Sequence, residues 1–158
     1  MVRSTKGKHS DYFEAILQLR NILEEVVSFV ENDINKSNVP VAKKKKVKNG
    51  WDYYLADNDF TRALGKRLQQ KFGGENTVTA SLFGQKEGKE IYRLTVLFRG
   101  IPFSKEDLVE YQGEEYKVKI LGKDMLLQDV KTGKKVHVKY KDMDQIKKTN
   151  KNEVDSFE

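Results

Sequence analysis

The chain reads as α+β, a two-layer sandwich of one sheet and two helices followed by a small closed β-barrel. Three observations predict this. Two stretches carry apolar residues at helical spacing, their flanks alternate with a period of two, and beyond Pro102 no helical period remains. A length of 158 residues suits one ordinary domain or two small ones. The expected divisions are a basic disordered lead-in over 1–10, the sandwich over 11–102, the barrel over 103–147 and a polar tail over 148–158.

The first strand is expected where Phe13, Ala15, Leu17 and Leu19 fall on one face and Glu14, Ile16, Gln18 and Arg20 on the other. Asn21 can cap the helix that follows, whose apolar positions are Ile22, Leu23, Val26, Val27, Val30 and Ile34. Pro40 and the polar run before it end that helix. Strands over 41–48 and 51–56 are separated by Asn49-Gly50, a strong hairpin signal because both central turn residues take positive φ. A second helix, capped by Asp57 or Asn58, places Phe60, Leu64, Leu68 and Phe72 on one stripe and stops at Gly73-Gly74. Strands over 77–83 and 90–99 are then expected to bury Val78, Ala80 and Leu82, and Tyr92, Leu94, Val96 and Phe98. Strand, helix, hairpin, helix, hairpin folds most simply as one sheet with both helices on one face. Leu17, Val26, Leu64, Leu68, Leu94 and Val96 are expected to be buried together.

After Pro102 the pattern is short strands at close spacing, over 107–111, 115–121, 125–130 and 135–140. Gly113, Gly122 and Gly133 mark their turns, and Met143 with Ile146 can supply a last strand. Such spacing suggests a barrel of the SH3-like kind.

Lys and Arg number 30 against 24 Asp and Glu, a formal charge of +6, which favours a polyanionic partner because each cation set against a phosphate releases counterions. A lysine-rich surface without such a partner gives the same balance. With no cysteine, a thiolate metal site and a cysteine nucleophile are excluded. No apolar run approaches the roughly 20 residues that span a bilayer, so a cytoplasmic protein with no membrane partner is expected.

Lys43, Lys44, Lys45, Lys46 and Lys48 form the densest positive run. Alternation divides them between two faces, and an edge strand or a projecting ribbon accommodates both. Lysines also blunt an edge against aggregation, so the run has a structural reading beside a phosphate-tracking one. Lys44 and Lys46 are expected on the exposed face. Trp51 and Tyr53 have core spacing, while Tyr54 faces the other way and can stack a base. Arg62, Lys66, Arg67 and Lys71 lie on the second helix, where a basic face can hold RNA backbone or merely be solvated. Lys123, Lys134 and Lys135 lie in turns of the barrel. Asp57 and Asp59 sit where cap and first-turn acids belong. His9 and His137 are far apart in the chain, and neither glycine pair has the context of a phosphate loop. No nucleophile, base and orienting group assemble. No catalytic residue, metal site, cofactor or small-molecule substrate is therefore expected.

Four segments carry a family resemblance. Residues 14–20, a strand ending in Gln18-Leu19-Arg20, and residues 49–55, with Gly50-Trp51-Asp52-Tyr53-Tyr54, resemble the central region of the Nmd-three family. Tyr92-Arg93-Leu94-Thr95-Val96 resembles the strand that leads into that family's barrel. Asp107-Leu108-Val109, with Gly113 and Thr132-Gly133, looks like the start and later turn of its SH3-like part. The match runs over about 12–146.

The resemblance implies a non-catalytic factor that binds the large ribosomal subunit late in assembly. It implies an SH3-like part similar to translation initiation factor five-A, near the exit-tRNA site, and in eukaryotes export with an exportin. Ribosomal RNA is the implied partner, with ribosomal proteins or other assembly factors as further ones. Family members normally begin with Cys-x-x-Cys zinc ribbons and carry an OB-type barrel and an acidic export tail, which this sequence does not show. The chain then reads as an archaeal-type protein, either shortened or a piece of a longer one. The alternative is a protein-interaction module whose barrel binds a peptide or another assembly factor; an RNA-directed enzyme is disfavoured by the missing acid–base set.

Overall fold

The computed structural model describes residues 12–149. The expected lead-in, and all but the first residues of the expected tail, lie outside the described residues. What is described is mixed α+β: two five-stranded sheets, two α-helices and a 3₁₀ helix.

The first sheet contains β1 (Ala15–Arg20), β2 (Val41–Val47), β3 (Gly50–Leu55), β4 (Glu75–Lys86) and β5 (Lys89–Arg99), in the order β2-β3-β1-β5-β4. β1 is central, antiparallel to β3 and parallel to β5. Its alternation decides which face is covered, since Ala15, Leu17 and Leu19 have no solvent exposure. Tyr53 and Val96 lie opposite Leu17, and Phe98 lies opposite Leu19, so the apolar face runs across three strands.

The helices cover that face. From α1 (Glu24–Ser37), Val26, Val30 and Ile34 enter one core cluster with Leu64 and Leu68 of α2 (Asn58–Phe72). Their spacing of three and four places each set on one side of its helix. Leu17, Val26, Leu64, Leu68 and Val96 do pack in this cluster, whereas Leu94 is buried outside it. Burying a Leu or Val side chain contributes about 1.5–3 kcal/mol.

Several local expectations change. Phe13 precedes β1 and does not follow its alternation; its ring packs edge-on against Tyr54, on the opposite face. Asn21 is not a cap but takes φ 53°, and Leu23 occupies the cap position of α1 without a side-chain bond. Asp57 is the cap of α2, its carboxylate accepting from the Phe60 amide at 2.9 Å. The β2–β3 turn is Lys48-Asn49, with Val47 paired to Gly50 and only Asn49 at positive φ. Gly50 lies within β3, where a Cβ would stand 1.7 Å from the Leu19 carbonyl oxygen. Glycine is therefore required there by close approach of β1 rather than by turn geometry.

Val78, Ala80, Leu82 and Tyr92 are exposed, against expectation. They share a sheet face with Leu94 and Val96, but β4 is an edge strand and its hairpin with β5 runs beyond the helical cover. Alternation reports the face a residue takes, not whether anything lies over it.

The second sheet is antiparallel, with the order β10-β6-β7-β8-β9. Its strands are β6 (Leu108–Tyr111), β7 (Glu114–Leu121), β8 (Met125–Asp129), β9 (Lys135–Val138) and β10 (Lys147–Lys148). Among the described residues the pairing does not close from β9 to β10. Val109, Val118, Met125, Leu127 and Val138 form its core with Ile101 and Phe103. Met143, expected in the last strand, lies instead in the 3₁₀ helix Tyr140–Gln145, and Ile146 caps it. The two are buried three positions apart, the period at which 3₁₀ side chains eclipse.

At the end of α2 the Gly74 amide donates to the Gly122 carbonyl at 2.8 Å, joining it to the β7–β8 turn. A Cβ on Gly73 would stand 2.7 Å from that same oxygen.

Candidate nucleic-acid interface

β2 is an edge strand, as its lysines require, and all of Lys43, Lys44, Lys45 and Lys46 are exposed. Register divides them. Lys44 and Lys46 pair with Tyr53 and Trp51 on the helix side; Lys43 and Lys45 pair with Tyr54 and Asp52 on the open side. Lys44 and Lys46 thus stand on the helix-side face rather than on an open one.

Lys44 is also tethered. Its ammonium lies 2.6 Å from a carboxylate oxygen of Glu31 on α1, and 4.7 Å from the centre of the Trp51 ring. The Tyr53 hydroxyl donates to the same carboxylate at 2.5 Å. Bonds from Lys44 and Tyr53 hold the Glu31 carboxyl below its ordinary range. Burial, reinforced by Glu31, pushes the Tyr53 phenol far up. This cluster binds α1 to the sheet edge, and Tyr53 takes the core role its spacing implied. Lys46 also stands over Trp51, at 5.2 Å. Lys48 is exposed in the turn.

On α2, two of the four cations are occupied. Arg67 pairs with Asp33 of α1 at 2.8 Å, and Lys71 lies 5.7 Å from the rings of Phe29 and Phe72. Arg62 and Lys66 are exposed, with no ion pair to either among the described residues. Lys123 and Lys134-Lys135 are exposed at opposite ends of β8. At roughly 3.3 Å per residue those turns are about 17 Å apart along the strand. The predicted cations are therefore distributed over several surfaces, not gathered in one pocket.

The open face holds what sequence reasoning missed. Arg93 of β5 lies between two rings, 4.0 Å from the centre of Phe13 and 3.6 Å from that of Phe83 on β4. Phe13 meets Tyr54 edge-on, with centroids 4.9 Å apart, and Lys43 stands 5.6 Å from the Tyr54 ring. Arg20 pairs with Asp52 at 2.8 Å on the same face. Odd-numbered alternation in β5 gave a signal for Arg93, but nothing local announced that Phe13 would turn toward it.

Asp57 is 3% exposed and bonded to the α2 backbone, so it serves as a cap. His137 is exposed, and no group of three or more His, Cys, Asp or Glu that could hold a metal occurs among the described residues. No described helix is long and apolar enough to cross a membrane.

No curated protein matches the chain. A family model described as NMD3, second domain, matches residues 12–99. That span runs from the lead into β1 to the end of β5, the whole first sheet with both α-helices. It covers more than half of the chain, which therefore belongs to the NMD3 family through its central region.

Proposed function

We propose that this protein is a non-catalytic ribosome-associated factor that binds the large ribosomal subunit through phosphate contacts during late assembly or export-type maturation. The observation that carries the reading is a lysine-rich edge strand and exposed helix cations in a chain of the NMD3 family. The proposed contacts are Lys43, Lys44, Lys45, Lys46, Lys48 and Tyr54; Arg62, Lys66, Arg67 and Lys71; and Lys123, Lys134 and Lys135. Arg62 and Lys66 are the freest of the helix set, while Arg67 and Lys44 would have to exchange an acidic partner for phosphate. Ribosomal RNA is the principal partner, with ribosomal proteins or assembly factors beside it. The reading is of a cytoplasmic, archaeal-type protein that needs no cofactor.

Two units serve this function, 11–102 as a two-layer sandwich and 103–147 as an SH3-like barrel. Support for the first is the shared core of both α-helices with β1, β3 and β5. Support for the second is five short antiparallel strands around one core, with a 3₁₀ helix before the last.

Co-sedimentation with purified large subunits across a salt series tests the proposal. Arg62→Glu with Lys66→Glu should weaken binding and flatten the salt slope by about 1 for each phosphate no longer neutralised. Binding that ignores salt in both proteins would replace the phosphate reading with an apolar protein interface.

A further inference from the structure

Phe83 of β4, Arg93 of β5, Phe13 at the entry to β1, Tyr54 of β3 and Lys43 of β2 form a row in which each touches the next. The row crosses all five strands in their sheet order. Both α-helices pack on the other face, and no described helix lies over this one. Four inter-strand gaps of roughly 4.8 Å make the row about 19 Å wide, room for two or three stacked bases.

Three properties separate the row from ordinary surface packing. Phe83 is 52% exposed, although a core position would hide it. The Nε of Arg93 is buried and has no hydrogen-bond partner among the described residues. Charge beside the row is mainly positive: Lys43, Lys45 and Arg93 stand along the face and the carboxylate of Asp52 is paired with Arg20, while Glu75, also on this face, lies at its far end opposite Arg99. Aromatic and guanidinium planes with flanking ammonium groups are what an unpaired nucleotide strand requires, the rings for bases and the lysines for phosphates.

We infer that the open face of the first sheet is a single-stranded RNA platform, with bases stacking on Phe83, Phe13 and Tyr54 and the backbone tracked by Lys43 and Lys45. The inference rests on the ribosomal-RNA reading and specifies which face meets unpaired RNA.

The test is binding of a short single-stranded oligouridylate and of an RNA duplex to the whole chain, by fluorescence anisotropy, beside subunit co-sedimentation. Tyr54→Leu and Phe83→Leu should each weaken single-strand binding about tenfold, the size of one missing base stack. The salt slope and duplex binding should stay unchanged, because neither variant removes a cation. Photocrosslinking of 4-thiouridine RNA to the unmutated protein should label Tyr54 and Phe83, a readout that needs no variant to fold. Wild-type affinity in both variants, or crosslinks confined to the helix side, would overturn the platform. Subunit co-sedimentation without single-strand binding would overturn it too and leave the phosphate reading standing. Absence of both kinds of binding would remove both.

Discussion

On the helix side of the first sheet, Leu17, Leu19, Tyr53 and Phe98 are sealed under α1 and α2; on the other side, Phe13, Tyr54, Arg93 and Phe83 stand in a row with no described helix above them. Tyr54, Arg93 and Phe83 come from strands of the same sheet, one residue out of phase with its covered face, whereas Phe13 reaches the open side because it precedes β1 and leaves its alternation. The helix side obtains its stability from apolar area removed from water, and an ionised group there needs a partner, as Lys44 has in Glu31. On the open side Lys43 stands exposed over the Tyr54 ring and Arg93 lies between the rings of Phe13 and Phe83. The same sheet can thus hold a core and a charged aromatic surface without either disturbing the other.

Truncation of the helix side should give the largest effect. Leu68→Ala removes a fully buried side chain between α2 and the sheet, and it should destabilise the protein by about 2–5 kcal/mol in urea unfolding. A change under about 0.5 kcal/mol, the range of surface sites, would erase the contrast between the two faces.

Alkaline pH should produce the next. The unfolded Tyr53 phenol ionises near pH 10, whereas burial and the Glu31 carboxylate keep it protonated well above that in the folded protein. The folded state then holds the proton more tightly. This contribution is complete below about pH 10 and is lost as pH rises toward the folded value, with a limiting slope of about 1.4 kcal/mol per pH unit. Urea midpoints measured from neutral pH upward should fall more steeply in the wild type than in Tyr53→Phe. Parallel curves would show that Tyr53 is not held as the buried partner of Glu31.

The smallest stability effect belongs to the open side. Phe83→Leu should shift unfolding by no more than about 0.5 kcal/mol, since the ring is 52% exposed. A destabilisation near that of Leu68→Ala would make the aromatic row part of the protein's stability and weaken its reading as a binding surface.

Much of this was legible in the chain itself. Alternation in β1, the four-residue stripe of α2 and the loss of helical period after Pro102 determined the elements, because local periodicity follows from backbone geometry alone. Asp57 as a cap and Gly73-Gly74 as a stop were legible for the same local reason. The lysine run was legible as an edge strand, since its charges could not be buried on both faces. Other features depended on neighbours distant in sequence. The need for Gly50 comes from the Leu19 carbonyl, the exposure of Val78 and Leu82 from the limited reach of two helices, and the tether on Lys44 from a glutamate on α1. The row on the open face joins residues 13, 43, 54, 83 and 93, whose spacing along the chain has no period. Strand order brings them together, and strand order is decided by which pairings let the apolar faces share one core, a property of the whole fold rather than of any one segment.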